Sequence, residues 1–151
     1  MDVNVQVDVN AREIKSKNDL KSNEHIINIL DDDKIAGEGG DADLCGTRIN
    51  ISATAASNVL KDKGPDISTI VHELGHTLGL RHLDEKYTKW PFSNPQYYPF
   101  EKQWANRNNA MFSGTKGSSA YWYNEKTNGA INGSQINIAI TNYNAHDLNK
   151  H

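Results

Sequence analysis

The chain contains the segment His72-Glu73-Leu74-Gly75-His76-Thr77-Leu78-Gly79-Leu80-Arg81-His82, and its spacing predicts a metal site built on a helix. His72 and His76 are one helical turn apart, so both imidazoles leave the same face and can reach one ion. Gly79 can adopt a left-handed backbone conformation at low cost, which ends the helix and turns the chain back. His82 can then approach from outside the helix as a third nitrogen ligand. Three protein ligands with a fourth position left to water are typical of a catalytic zinc site.

Glu73 lies next to the first ligand, where its carboxylate can contact a zinc-bound water without being a ligand itself. The alternative is a buried helix that carries hydrogen-bonded core histidines. That alternative does not explain why Glu73, Gly79 and His82 all fall at the required offsets. A chance match of the five fixed positions has odds on the order of one in ten thousand or rarer for a chain of this length. The zinc interpretation is therefore favoured.

Residues 72–82 resemble the extended zinc-binding motif of the metzincin metallopeptidases, and residues 109–114, Asn-Ala-Met-Phe-Ser-Gly, are similar to the methionine-bearing turn of that family. The resemblance implies that the three histidines bind one zinc ion and that Glu73 is the general base. It implies that Met111 forms the hydrophobic floor of the site. The implied activity is that of a zinc-dependent endopeptidase, a hydrolase that acts on protein or peptide substrates.

The segment departs from the best-known metzincin branches at two positions. Leu83 follows the third histidine, where a branch-specific residue stands in those enzymes. Ser113 stands where some branches carry a tyrosine that can reach the metal. The segment is most similar to pappalysin-like and related bacterial secreted enzymes, which implies a secreted or cell-envelope location. Any signal or pro-segment would then be absent from the chain given.

Length and charge limit the remaining classes of function. The 151 residues are enough for one domain, which we divide into an upper subdomain (about 1–80) and a lower one (about 81–151). The formal net charge of −3 gives no sign of the basic surface that binds nucleic acid. No apolar run approaches the ~20 residues that span a membrane. We expect a monomer.

The hydrophobic pattern predicts an α/β (α+β) fold of the metzincin type. Strict alternation over residues 3–9 predicts a half-buried strand, residues 26–30 predict a strand buried on both faces, and residues 48–53 predict a third strand. Ser134 is a candidate cap for a final helix, whose core face would comprise Ile136, Ile140, Tyr143 and Leu148. A small twisted mixed sheet and the zinc helix would lie above the cleft, with an irregular lower part ending in this helix.

Two segments are candidates for substrate binding. By resemblance, the strand before the zinc helix is the sheet edge beside the cleft, so Ile51, Ser52 and Ala53 could pair with an extended substrate. The alternative is that this strand is an ordinary internal strand of the sheet and has no edge available to a substrate. Tyr121 and Tyr123 follow the methionine turn, where related enzymes shape a specificity pocket.

Three further residues or segments have competing interpretations. The acidic residues of segment 31–43 could bind calcium, but we favour a solvated surface loop because their spacing matches no EF-hand. Cys45 could be a fourth, inhibitory zinc ligand, and a small half-buried residue is the favoured interpretation. Asp84 could orient a ligand imidazole or could be a simple surface charge.

Two other functions stay open at this point. The chain could be a metzincin-like domain that keeps its zinc but binds a partner without cleaving it. It could also be a zinc amidase that acts on a non-peptide amide. Retention of Glu73 argues against the first, because a pure binding domain has no need of a base.

Overall fold

The computed structural model describes residues 10, 12–22, 24–35, 39–60, 65–89, 92–99, 109–113 and 131–148. Within them a three-stranded mixed sheet has the order β1-β3-β2, formed by β1 (Ile26–Leu30), β2 (Gly40–Ala42) and β3 (Arg48–Ser52). β1 runs parallel to β3, with Ile27 opposite Ile49. β2 runs antiparallel to β3, with Gly40 opposite Ile51. The class predicted from sequence is thus confirmed at the level of a small mixed sheet combined with helices.

Two consecutive helices cover one face of this sheet. Helix α1 (Ala53–Leu60) follows β3 directly, because the Ser52 hydroxyl accepts a hydrogen bond from Ala55 N at 3.0 Å and caps the new helix. Helix α2 (Pro65–Thr77) begins at a proline, whose missing N–H costs nothing in a first turn. It packs against α1, β2 and β3. Asp66 therefore lies inside the first turn of α2.

Apolar side chains form two separate core clusters. The first lies between the sheet and the two helices and contains Ile49, Ile51 and Ala55, with Ala42, Ala56, Ile70 and Leu74 packed around them. The second lies beyond the end of α2 and contains Leu80, Leu83, Met111 and Phe112, with Leu78, Tyr98 and Ile138 packed around them. The segment that carries the three histidines, residues 72–82, connects the two clusters. Its helical part packs against the first cluster, and the turn that follows belongs to the second. The single domain and its two subdomains remain a prediction.

A two-stranded antiparallel hairpin, β4 (Tyr87–Lys89) and β5 (Phe92–Ser93), follows the turn. The last described element is helix α3 (Gly133–Asn144). Two short 3₁₀ helices, Lys17–Asp19 and Asp32–Lys34, complete the set. None of the helices found in the described ranges is long and apolar enough to cross a membrane.

Three predictions about strands need correction or lie outside the described residues. The strand at 26–30 exists, but Ile27 and Ile29 are 51% and 65% exposed, because the two helices pack mainly on β2 and β3. The third strand ends at Ser52, and Ala53 begins α1. The strand predicted at 3–9 lies outside the described residues.

The final helix also differs from its prediction. Asn132, not Ser134, is the cap: its side chain accepts from Gln135 N, and the Gln135 side chain accepts from Asn132 N. The predicted apolar face is largely solvent-exposed, since Ile140 is 51% and Tyr143 71% exposed. The helix instead turns Gln135 inward, together with Ile138 and Asn142 one and two turns later. Hydrogen bonds to the rest of the protein, rather than hydrophobicity alone, select this face.

A candidate metal centre

Three imidazoles converge at the end of α2. The Nε2 atom of His72 lies 3.2 Å from that of His76 and 2.9 Å from that of His82, and the remaining pair is 3.0 Å apart. Within the described part of the chain, these three residues form the one group of histidine, cysteine or carboxylate side chains arranged to hold a metal ion. The prediction that the three histidines come together is confirmed.

The second nitrogen of each ring is bound to an oxygen acceptor. His72 Nδ1 lies 2.6 Å from Ala110 O, and His76 Nδ1 lies 2.7 Å from Leu80 O. His82 Nδ1 lies 2.8 Å from a carboxylate oxygen of Glu85. Carbonyl and carboxylate oxygens only accept hydrogen bonds, so each Nδ1 carries the proton. In the neutral rings each Nε2 therefore directs a bare lone pair toward the other two.

This donor set fits a zinc ion. With all three rings neutral, no proton bridges the Nε2 atoms, and their facing lone pairs repel one another unless a cation lies between them. Ligands of a tetrahedral zinc with bonds of about 2.05 Å are about 3.3 Å apart, close to the spacing seen here. A carbonyl or carboxylate on the far nitrogen is also the usual arrangement for a metal-binding histidine.

Burial keeps two of these rings neutral. It lowers the pKa of His72 to about 4, assisted by the charge of His82. It lowers the pKa of His76 to about 3, assisted by the charges of His72 and His82. Metal ions compete with protons for imidazole nitrogens, so low pKa values leave these two ligands available at neutral pH.

Glu73 follows the first histidine in α2 and is not part of the three-histidine group. Its side chain is only 5% exposed, and burial, assisted by the negative charge of Asp41, raises its pKa to about 7. A carboxyl group with this pKa can both accept and release a proton near neutral pH. Its neighbour is the edge strand β2, where a Cβ atom built on Gly40 would lie 3.0 Å from Glu73 Cγ.

The turn at residues 109–113 lies against α2. Met111 is fully buried, and its sulfur occupies the space that a side chain on Gly75 would need. The same turn provides the Ala110 carbonyl that binds His72, and Met111 O accepts a hydrogen bond of 2.9 Å from Leu83 N. The turn therefore contacts His72 and Leu83, the residue that follows His82.

The end of α2 takes the predicted form. Gly79 has a positive φ of 83°, and a Cβ there would meet the amide of Asn142 and the sulfur of Cys45. Leu80 N returns a hydrogen bond to Gly75 O, and Leu80 and Leu83 are buried. The left-handed turn directs residues 80–82 back across the helix and brings the third imidazole to the other two.

Three polar residues that sequence reasoning missed hold the third ligand in place. Glu85 binds the His82 ring as described above. Asn94 Nδ2 donates to His82 O at 2.6 Å and to Glu85 O at 2.9 Å. Gln96 accepts from Arg81 N at 3.0 Å and donates to Gly79 O at 3.0 Å. A carboxylate three residues after the third histidine was the one signal available in the sequence.

Asp84 has neither of the roles considered for it. Its two carboxylate oxygens accept from Ser113 N at 2.9 Å and Ser113 Oγ at 2.7 Å. It thus anchors the end of the methionine turn, while Glu85 orients the imidazole.

The candidate substrate residues are only partly placed. Ile51 and Ser52 lie in β3, which is hydrogen-bonded on both sides, so they cannot pair with a substrate backbone; this corrects the prediction. Ala53 belongs to α1. The antiparallel edge of the described sheet is β2 instead. Tyr121 and Tyr123 lie outside the described residues.

The acidic loop and Cys45 have other contacts. Asp31 pairs with Lys34, and Asp43 pairs with Arg48. Asp32 accepts from Thr54 N and Thr54 Oγ1, and Asp41 accepts from Asn50 Nδ2. These four carboxylates bind protein groups, and Asp41 lies in β2 rather than in a surface loop. Cys45 is half-buried behind the end of α2, where its N–H donates to His76 O, and it is not part of the histidine group.

Comparison of the chain with family models, with curated proteins and with solved structures finds no match in any of the three. The resemblance to metzincins therefore rests on residues 72–82 and 109–114. The structure itself shows a mixed α/β fold that brings three histidines together at a site suited to a metal ion.

Proposed function

We propose that this protein is a zinc-dependent endopeptidase, a metalloprotease that hydrolyses peptide bonds. The observation that carries the proposal is the convergence of three bare Nε2 atoms, 2.9 to 3.2 Å apart, beside a buried glutamate. Three nitrogen ligands leave one position of a tetrahedral zinc open. A glutamate that is not a ligand supplies the base which a closed structural site does not need.

The proposed chemistry divides between the metal and one side chain. A zinc ion at the three histidines would lower the pKa of a water molecule to about 7 and polarise a substrate carbonyl. Glu73 would accept a proton from the attacking water and pass it to the leaving amine as the C–N bond breaks. Burial raises the pKa of Glu73 to about 7, which makes its carboxylate a better proton acceptor than an exposed one. Met111 would shape the floor of the site.

The substrate backbone would bind along β2. This strand pairs only with β3 among the described residues, which leaves its outer edge available. Extended peptides bind such edges through main-chain hydrogen bonds. Gly40, at the start of β2, packs directly on Glu73, so a peptide paired with this strand would pass close to the base. Secretion or attachment to the cell envelope remains a proposal that rests on the resemblance.

The test is mass spectrometry of a mixed peptide library after incubation with the zinc-loaded protein. Glu73→Ala and a chelated sample are the negative controls, and Glu13→Ala, at an exposed position, is the matched positive control. Cuts present in the wild type and Glu13→Ala but absent from both negative controls would establish a zinc peptidase.

Stoichiometric zinc without any cut would contradict the peptidase proposal. Hydrolysis of small amides under the same conditions would then favour the non-peptide amidase, and absence of all hydrolysis would favour a binding domain. No observation in the structure favours either of these two alternatives.

A further inference from the structure

A buried pair of side-chain amides joins α3 to the methionine turn. Asn109 Nδ2 donates to Gln135 Oε1 at 2.6 Å, and Gln135 Nε2 donates to Asn109 Oδ1 at 3.0 Å. The two residues are 5% and 1% exposed. A buried amide that loses its partner costs the full desolvation of its polar atoms, so this reciprocal pair strongly favours one arrangement.

Each amide oxygen of the pair also accepts a backbone hydrogen bond. Gln135 Oε1 accepts from Asn132 N at 2.9 Å, which completes the cap of α3. Asn109 Oδ1 accepts from Met111 N at 2.9 Å, which fixes the backbone of the turn. The pair therefore connects the first turn of the last helix to the loop beneath the metal centre.

The peptide between Asn109 and Met111 presents the carbonyl that binds the first metal ligand. Ala110 O accepts from His72 Nδ1 at 2.6 Å, and this bond sets both the tautomer and the orientation of the ring. We propose that Gln135 is a positioning residue of the metal centre: it holds Asn109 and, through the turn, the Ala110 carbonyl that directs the Nε2 lone pair of His72. The inference rests on the metal binding in the proposed function and not on peptidase activity.

A selective effect on His72 separates this role from a general effect on folding. His76 Nδ1 binds Leu80 O, in the turn that follows its own helix, rather than a carbonyl of the turn at 109–113. Loss of the Gln135 amide should disturb His72 and leave His76 unchanged. General destabilisation of the fold would have no such preference.

The test compares Gln135→Met, which keeps length and volume but removes the amide, with Ile49→Val in the other core cluster. Two quantities are measured: the zinc dissociation constant by chelator competition, and the Nδ1–H NMR signals of ¹⁵N-histidine-labelled metal-free protein. We expect Gln135→Met to bind zinc about ten- to a hundredfold more weakly. The His72 signal should shift or disappear while the His76 signal stays, and Ile49→Val should leave both signals and the zinc affinity unchanged.

Wild-type zinc affinity together with an unchanged His72 signal in Gln135→Met would overturn the proposal. If that variant does not fold, Gln135→Glu replaces it: glutamate keeps the two acceptor bonds but puts a carboxylate oxygen against Asn109 Oδ1, and the two oxygens repel each other. A change of the His72 signal is then expected, and no change would again overturn the proposal. A wild type that binds no zinc would refute the proposed function, whereas the His72 signal would still decide the positioning role.

Discussion

Gly75 and Met111 are in contact across the interface between α2 and the methionine turn, with the thioether sulfur in the place of a glycine side chain. Gly75 precedes the second histidine ligand by one residue, and Met111 follows the carbonyl that binds the first. The close approach of helix and turn at this point therefore fixes the distance between α2 and the carbonyl that binds His72. A glycine in the middle of a helix is otherwise unfavourable by roughly 0.5–1 kcal/mol relative to alanine.

Gly75→Ala should therefore destabilise the protein, although alanine is the better helix former. We expect a loss of about 1–3 kcal/mol from overpacking, with weaker zinc binding, as the turn is pushed away from the helix. Thermal unfolding and zinc titration measure the two effects. The matched control is Gly133→Ala, where a new Cβ would meet no atom within 4 Å. Equal stability changes in the two variants would contradict the contact.

His82→Ala should reduce zinc affinity sharply, because two imidazoles on one helix cannot complete the site. We expect stoichiometric zinc in the wild type and substoichiometric zinc in the variant after dialysis, measured by atomic emission. The control is His25→Ala, because His25 is not part of the three-histidine group. A variant that retains one zinc per chain would remove His82 from the ligand set.

Glu85→Ala should weaken zinc binding about ten- to a hundredfold without abolishing it, because the carboxylate holds the His82 ring through Nδ1. Chelator competition measures the change. Asp84→Asn is the informative comparison, since Asp84 binds Ser113 rather than an imidazole. The interpretation fails if Asp84→Asn lowers zinc affinity more than Glu85→Ala does.

The metal-free protein should lose stability as pH falls below 6.5. Unfolded histidines take up protons near the ordinary value of 6.5, whereas folded His72 and His76 do so only near pH 4 and 3. The unfolded state therefore binds more protons in this window, and acid favours it. Glu73 acts in the opposite direction between its ordinary value of 4.5 and about 7, because there the folded state holds the extra proton. The decline should consequently be steepest near pH 4.5 and flatten below pH 4, where folded His72 and His76 also take up protons.

Urea midpoints of the metal-free protein at pH 7, 5.5 and 4 measure this decline. A parallel series on His76→Gln isolates the histidine contribution. Exposed carboxylates such as Glu24, whose pKa the Arg12 side chain lowers to about 2, affect both proteins alike. Identical slopes for wild type and variant would show that burial of His76 does not drive the acid sensitivity.

The histidine set could be predicted from sequence because its geometry is local. One helical turn and one left-handed glycine fix the relation between residues 72, 76 and 82, and Gly79 adopts the expected φ. The apolar face of α2 follows the same short-range rule: Ile70 and Leu74, four residues apart, pack against the same core cluster.

The residues that orient this set could not be predicted, because their partners lie far away in the chain. Gln135 binds a residue 26 positions away, and His72 binds one 38 positions away. Both contacts place polar groups in the interior, where hydrophobic periodicity gives no signal. The same limit explains the error at α3, whose apolar stripe faces solvent while an amide faces the core. The order of strands in a sheet also cannot be read from the alternation of apolar and polar residues. The sequence therefore could not show whether β3 is an internal strand or an edge strand.

A row of three hydrogen-bonded polar side chains, two amides and one carboxylate, crosses the three strands of the sheet. Asn28 Nδ2 donates to Asn50 Oδ1 at 2.9 Å, and Asn50 Nδ2 donates to Asp41 Oδ1 at 2.8 Å, with the three residues directly opposite one another in the strand pairing. A slip of β1 by one position would place an isoleucine against Asn50, and a slip of β2 would place Gly40 or Ala42 there, and each slip would reverse the faces of that strand. The row thus favours a single register of the three strands. Because Gly40 is the neighbour of Asp41 and rests on Glu73, an alignment error made early in folding would displace the carboxylate on which the proposed hydrolysis depends.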